Sequence, residues 1–174
     1  METGAVYYAF INFDLCGLYI ATTSSGVCKI NFENSESEFL SWINQNYPGF
    51  KIIADRNKLD PKLEKQITEY FSGVRKNFDL KMDLKLTKFQ SRVFNFLLKV
   101  PYGSVTSYGD IARYLGGVKF ARAVGNALNK NPLPIIIPCH RVIDSKGEIG
   151  GFAGGVNIKK KLLNLEKESI CTKI

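Results

Sequence analysis

The chain has 174 residues, 45% of them hydrophobic, with 24 Lys and Arg against 16 Asp and Glu, a formal net charge of +8. That length suits one domain or two small ones with proper cores; no apolar run reaches the length of a membrane span, so no membrane partner is expected. Glu2, without a basic region and long apolar stretch after it, predicts no secretory signal.

In chain order, residues 5–32 read as strands: Val6–Ile11, Gly17–Ala21 and Val27–Phe32, with Ser24-Ser25-Gly26 turning between the last two, an antiparallel meander. Ser35 is placed to cap a helix through about Asn46, with Phe39, Leu40 and Ile43 on one face. A second helix has Asp60 at its N-cap, Pro61 in its first turn, an apolar stripe of Leu63, Ile67, Tyr70 and Phe71, and Gly73 beyond. Residues 74–86 are a charged, partly extended connector, and the domain boundary is placed there, giving domains 1–86 and 87–174.

The charge is split unevenly across that boundary. Residues 1–86 carry 10 Lys/Arg and 11 Asp/Glu, net −1, whereas residues 87–174 carry 14 and 5, net +9, which together make the +8. A basic half points to a polyanionic partner.

The second half opens on the capping-box pair Thr87 and Gln90 before a helix burying Phe89, Val93, Phe94 and Leu97. A short helix follows Ser107, Gly116-Gly117 breaks it, and another helix runs from about Val118 to Lys130, a helix-turn-helix candidate. On that last helix Phe120, Val124 and Leu128 face the core, and Lys119, Arg122, Asn126 and Lys130 share the other side. Ala121, Ala123, Gly125 and Ala127 between them add no bulk, so the backbone can approach a partner such as a DNA groove closely. Prolines 132, 134 and 138 predict a rigid extended arm. The glycine-rich stretch around Phe152 predicts a loop that lies close to a ligand, and a final helix begins near Asn157.

The chemistry concentrates in Pro138-Cys139-His140-Arg141-Val142, where a cysteine adjoins the only histidine. A thiol becomes a strong nucleophile when a base or positive field deprotonates it. The plainer alternative is a buried structural cysteine with a chance neighbour. The cysteines, Cys16, Cys28, Cys139 and Cys171, form no CxxC pair, so no zinc site is expected, and they fit a reducing intracellular setting. A Cys16–Cys28 disulfide is left open.

Taken together, residues 87–168 closely resemble the O6-alkylguanine-DNA alkyltransferases, also called methylated-DNA–protein-cysteine methyltransferases. The resemblance rests on Asn131-Pro132-Leu133-Pro134-Ile135-Ile136-Ile137-Pro138-Cys139-His140-Arg141-Val142, with Arg122-Ala123-Val124-Gly125 and Ser107-Tyr108 upstream. Residues 1–86 match only in layout, that of the family's ribonuclease H-like N-terminal domain. The implied class is α+β: a small N-terminal antiparallel sheet with flanking helices, then a mostly helical DNA-binding and alkyl-acceptor domain.

The resemblance also implies roles. Cys139 would accept the alkyl group, and His140 would act as base through a bridging water, oriented by Glu166. Asn131 would brace the backbone around the cysteine, and Tyr108 would help rotate the nucleotide and protonate the leaving guanine. Arg122 would fill the gap in the base stack, from a helix in the minor groove that also brings Lys119, Ala121, Ala123 and Gly125 to DNA, with Ser107 and Thr87 as further contacts. Leu128, Val142, Gly151, Phe152, Ala153 and Gly154 would line the base pocket. The implied partner is double-stranded DNA with alkylated bases, met by a monomer without metal or organic cofactor, in the cytoplasm of a prokaryote or the nucleus of a eukaryote. Many family members carry tyrosine where Phe152 stands, and with one histidine the zinc site of some relatives is not expected. Two other classes stay open: a lesion-recognition or regulatory module in which Cys139 is incidental, and a Cys-His hydrolase that turns over an acyl substrate.

Overall fold

Alternating apolar residues between turn residues make the first strands. In the computed structural model, which describes residues 4–32 and 35–171, these are β1 (Ala5–Asn12), β2 (Gly17–Thr23) and β3 (Gly26–Phe32), joined as an antiparallel meander. The chain divides into two units, Met1–Lys85 and Leu86–Ile174.

In the first unit, α1 (Glu36–Asn46) is capped by Ser35, and α2 (Pro61–Phe71) by Asp60, whose carboxylate accepts from Lys62 N–H at 2.9 Å. Phe39 and Ile43 of α1 pack with Val6, Ala21, Cys28 and Tyr47 to form the core. A strand absent from the sequence reading, β4 (Lys51–Ala54), lies parallel to β1 with Ile52 opposite Val6. It makes the sheet mixed, in the order β3-β2-β1-β4. Four mostly exposed residues at a sheet edge lack the alternation that marks a longer strand.

The other edge is covered. Val27 N–H donates to Lys81 O and Asp83 N–H to Val27 O, each at 2.9 Å, so the connector shields β3 from pairing with another chain. Gly26 (φ +141°) permits this approach, because a Cβ there would run into the Lys81 carbonyl. Cys28 sits at a bulge opposite Ala21 and Thr22, at the far end of β2 from Cys16, and among the described residues no disulfide joins them.

The second unit begins with α3 (Lys88–Leu97) behind the Thr87–Gln90 capping box. A two-residue strand, β5 (Thr106–Ser107), leads into α4 (Tyr108–Tyr114), where Ser107 and Asp110 form a second capping box. After Gly116-Gly117 and a 3-10 turn, α5 (Ala121–Asn129) carries Val124, Ala127 and Leu128 on its buried side. A buried loop and a 3-10 turn (Cys139–Arg141) lead to β6 (Val142–Ile143), which pairs in parallel with β5. The unit closes with α6 (Val156–Cys171), whose buried stripe is Lys159, Leu162 and Glu166. Among the described residues, no helix is long and apolar enough to cross a membrane.

Candidate active site

The site is built on a loop that the sequence predicts to be extended and the structure shows coiled. Residues 131–138 form bends and turns, with Ile135 at φ +79°, a conformation β-branched residues rarely adopt and one that costs about 1–3 kcal/mol. Buried hydrogen bonds outweigh the preference for extension. Asn131 Oδ1 accepts from Leu133 N–H (3.0 Å), its Nδ2 donates to Ile137 O (2.9 Å), and Ile137 N–H donates back to Leu133 O (2.8 Å). The same Asn131 amide nitrogen lies 3.1 Å from Cys139 Sγ, so one side chain folds the loop and touches the thiol. Because Cys139 and His140 occupy a 3-10 turn, their side chains diverge by about a third of a turn rather than alternating as in a strand.

Behind the cysteine lies a buried polar network. His140 Nε2 is 2.8 Å from Glu166 Oε1, with both side chains fully buried. Arg141 donates to the same carboxylate through Nε (3.0 and 3.2 Å) and Nη2 (2.9 Å), and Gly103 N–H donates to Oε2 (2.8 Å). Burial alone would push Glu166 up, but the hydrogen bonds and charges of His140 and Arg141 outweigh it and hold the carboxyl down to about 2. Burial lowers the proton affinity of His140, against the pull of Glu166, so the imidazole is a neutral base. Burial likewise pushes the Cys139 thiol up to about 11, with the Asn131 hydrogen bond and the Lys159 charge acting in the opposite direction. At rest the thiol therefore keeps its proton.

Cys139 opens onto a small pocket lined by Tyr108, Leu128, Asn129, Gly151, Phe152 and Ala153. The Phe152 ring meets the His140 ring edge-on at 6.4 Å between centroids. Tyr108 is raised by burial and by the nearby Cys139 and Asp144 charges, which keeps its hydroxyl a donor. Gly150 packs on it: a Cβ there would stand 3.3 Å from the Tyr108 oxygen. Of the other residues expected at the pocket, Val142 is fully buried and Gly154 is half-buried; neither is among its walls.

The outer side of α5 is polar and open. Arg122, Asn126 and Lys130 are exposed, as is Lys119, whose ammonium lies 5.5 Å from the Phe120 ring centre. Ala121, Ala123 and Gly125 are half-buried beside them. Ser107 Oγ donates to Asp110 Oδ2 (2.6 Å) as part of the helix cap, and Thr87 caps α3 away from the pocket walls.

This arrangement can be set beside known proteins. Residues 88–168 match the profile described as 6-O-methylguanine DNA methyltransferase, DNA binding domain, and residues 6–84 its ribonuclease-like domain. A methylated-DNA–protein-cysteine methyltransferase of Bacillus subtilis is 38% identical over 97% of this chain and 96% of its own, and one of Methanosarcina acetivorans is 37% identical over 92% and 98%. The chain belongs to the 6-O-methylguanine DNA methyltransferase family. Among solved structures, the Mycobacterium tuberculosis OGT in complex with DNA superposes with a TM-score of 0.79 at 35% identity, covering 94% of each chain.

Three residues of this methyltransferase site escaped the sequence reading. Asn129, the last residue of α5, lines the pocket beside Leu128. Arg141 was read only as part of the motif. Lys159 is fully buried, and its ammonium donates to Val142 O (2.6 Å) and Gly150 O (3.3 Å), tying α6 to both ends of the segment that leads into the pocket loop. The available signal was its spacing: Lys159, Leu162 and Glu166 fall at i, i+3 and i+7, one face of a helix.

Proposed function

We propose that this methyltransferase reverses alkylation damage in DNA once per molecule, moving the alkyl group from guanine O6, and from thymine O4, to Cys139. The observation that carries the reading is Cys139 at a pocket, touched by Asn131 and backed by a neutral His140 on a buried Glu166. The lesion atom is hidden in the duplex, so the nucleotide is extruded at a cost of a few kcal/mol of unstacking. Residues 87–174 do this work. Arg122 replaces the missing base in the stack, and Ala121, Ala123 and Gly125 let α5 sit close to the minor groove. Lys119, Ser107 and Thr87 hold the backbone.

His140 takes the thiol proton through a bridging water, and Glu166 stabilises the imidazolium. The thiolate attacks the alkyl carbon, a carbon–sulfur bond forms as the carbon–oxygen bond breaks, and the guanine leaves with that electron pair and a proton from Tyr108. Lys159 positions the pocket loop and its charge favours the thiolate. Phe152 packs against the base where other members offer a tyrosine hydroxyl. A thioether is not reversed by hydrolysis or thiol exchange, so the protein is spent, and the balance needs neither metal nor organic cofactor. The substrate places the protein, acting as a monomer, with genomic DNA inside the cell.

Incubation with a duplex containing O6-methylguanine, followed by intact and peptide masses, tests this. One methyl group on the Cys139 peptide, stoichiometric and final, is expected. Cys139→Ala is expected to bind the duplex without gaining mass; transfer by that variant, or binding by the unsubstituted chain without transfer, overturns the reading in favour of a lesion-recognition module.

A further inference from the structure

Glu166 is shared unequally. Its carboxylate receives His140 on one oxygen, whereas Arg141 supplies three contacts to the two oxygens and Gly103 N–H a further one. With the shared Arg141 Nε–H counted once, four partner groups meet the roughly four lone-pair directions a carboxylate offers. The guanidinium is itself fixed: Nη1 donates to Val100 O at 2.7 Å, and its carbon lies 5.7 Å from the Tyr102 ring centre. Arg141 is not among the residues that line the pocket.

From this geometry we infer that Arg141 is a positioning residue: by clamping Glu166 it keeps the His140 imidazole neutral near physiological pH and so sets the acid limit of alkyl transfer. The inference rests on the reading of His140 as the base. Two effects combine. The fork of Arg141 and the Gly103 amide fix the carboxylate so that Oε1 faces His140 Nε2, which holds the tautomer with its lone pair on Nδ1. The positive charge also cancels the carboxylate's, because an unshared Glu166 at 2.8 Å would favour the imidazolium. Lys159 from α6 also disfavours an imidazolium, and the Cys139 thiol sits on the ring's own turn. Tyr108 from α4 is raised by burial and by the Cys139 charge, and stays protonated.

His140 is the only histidine in the chain, so its titration is read from a single imidazole resonance without assignment. The experiment uses the full chain with labelled histidine, as the unsubstituted protein, Arg141→Gln and Arg141→Lys. It combines a nuclear magnetic resonance pH titration with single-turnover rates on an O6-methylguanine duplex at the same pH values. Arg141→Gln is expected to raise the imidazole midpoint by about one pH unit or more, and the acid limb of the rate profile by the same amount. Arg141→Lys, which keeps the charge but makes fewer contacts, is expected to rise less and to keep a higher plateau rate. A purely structural Arg141 would lower the rate at every pH and leave the midpoint in place. A folded Arg141→Gln with an unmoved midpoint overturns the inference; if that variant does not fold, Arg141→Lys with an unmoved midpoint and a rate lowered equally at every pH does so. Failure of the unsubstituted chain to methylate Cys139 would instead defeat the repair reading, and the titration would still decide the role of Arg141.

Discussion

The two units solve the problem of an interior in opposite ways. The N-terminal unit packs Val6, Ala21, Phe39, Ile43 and Tyr47 around the thiol of Cys28, and its buried polar residues, Thr22 and Gln66, are uncharged. The C-terminal unit, besides its apolar residues, buries Asn131, His140, Arg141, Lys159 and Glu166. Buried charges are a poor source of stability, since desolvation offsets most of their attraction. Apolar residues of similar volume would serve a scaffold as well. The charges gather instead around His140, beside the pocket thiol that the proposed reaction deprotonates, so on that reading stability and chemistry are divided between different interiors.

The sharpest test of that division pairs one truncation from each interior. Phe39→Ala, in the apolar core, is expected to cost about 3–5 kcal/mol of stability and to leave transfer per folded molecule unchanged. Asn131→Ala is expected to cost less, about 1–3 kcal/mol for the buried groups it leaves unpaired, yet to slow transfer by about 10- to 100-fold, because the loop that presents Cys139 loses its brace. Denaturant titration and single-turnover rates measure the two quantities. An Asn131→Ala protein whose rate falls only with its folded fraction would break the comparison.

Acid separates the units next. Glu166 is held down to about 2, so its contribution to stability is present above the ordinary carboxylate value and is lost as pH falls toward 2. His140 is lowered too, mainly by burial, so its folded form resists protonation and stability falls as pH drops below the unfolded value of about 6.5. Both act in the same direction, each with a slope of up to about 1.4 kcal/mol per pH unit. Amide exchange between pH 6 and 3 is expected to lose protection in α6 while β2 keeps more of its own. Equal loss in both would show that the buried network carries no special acid sensitivity.

Much of the scaffold was legible because local chemistry decides it. Asp60 before Pro61, Thr87 with Gln90, and Ser107 each start a helix where the sequence places one. The candidate site was legible where a residue type is committed to one chemistry, as with Cys139 beside His140. What escaped depends on contacts made across the chain. β4 exists because β1 offers an edge, and 131–138 coils because the Asn131 amide finds Ile137 O and Leu133 N–H. Lys159 was hidden in the run Lys159-Lys160-Lys161, in which only the first turns inward. A charged residue in a helix's buried stripe is the pattern to search for, and nothing short of the fold shows that Val142 O and Gly150 O wait to receive it.

The smallest effect contrasts two buried thiols. Cys28 lies wholly inside the apolar core and burial pushes it up to about 12, whereas Cys139, raised to about 11, keeps 7% of its surface exposed at the pocket. Iodoacetamide at pH 7 is therefore expected to modify the exposed Cys171 quickly and both buried thiols slowly, since a thiol at that value is about one part in ten thousand thiolate. Raising the pH to 9 is expected to speed modification of Cys139 about tenfold per unit, because the reagent reaches it without unfolding. Cys28 must wait for the N-terminal unit to open and is expected to lag far behind until denaturant is added. Peptide masses over a time course read both sites at once. Parallel modification of Cys28 and Cys139 would mean that the pocket gives no access in the native state, and that the thiol is exposed only when the C-terminal unit unfolds.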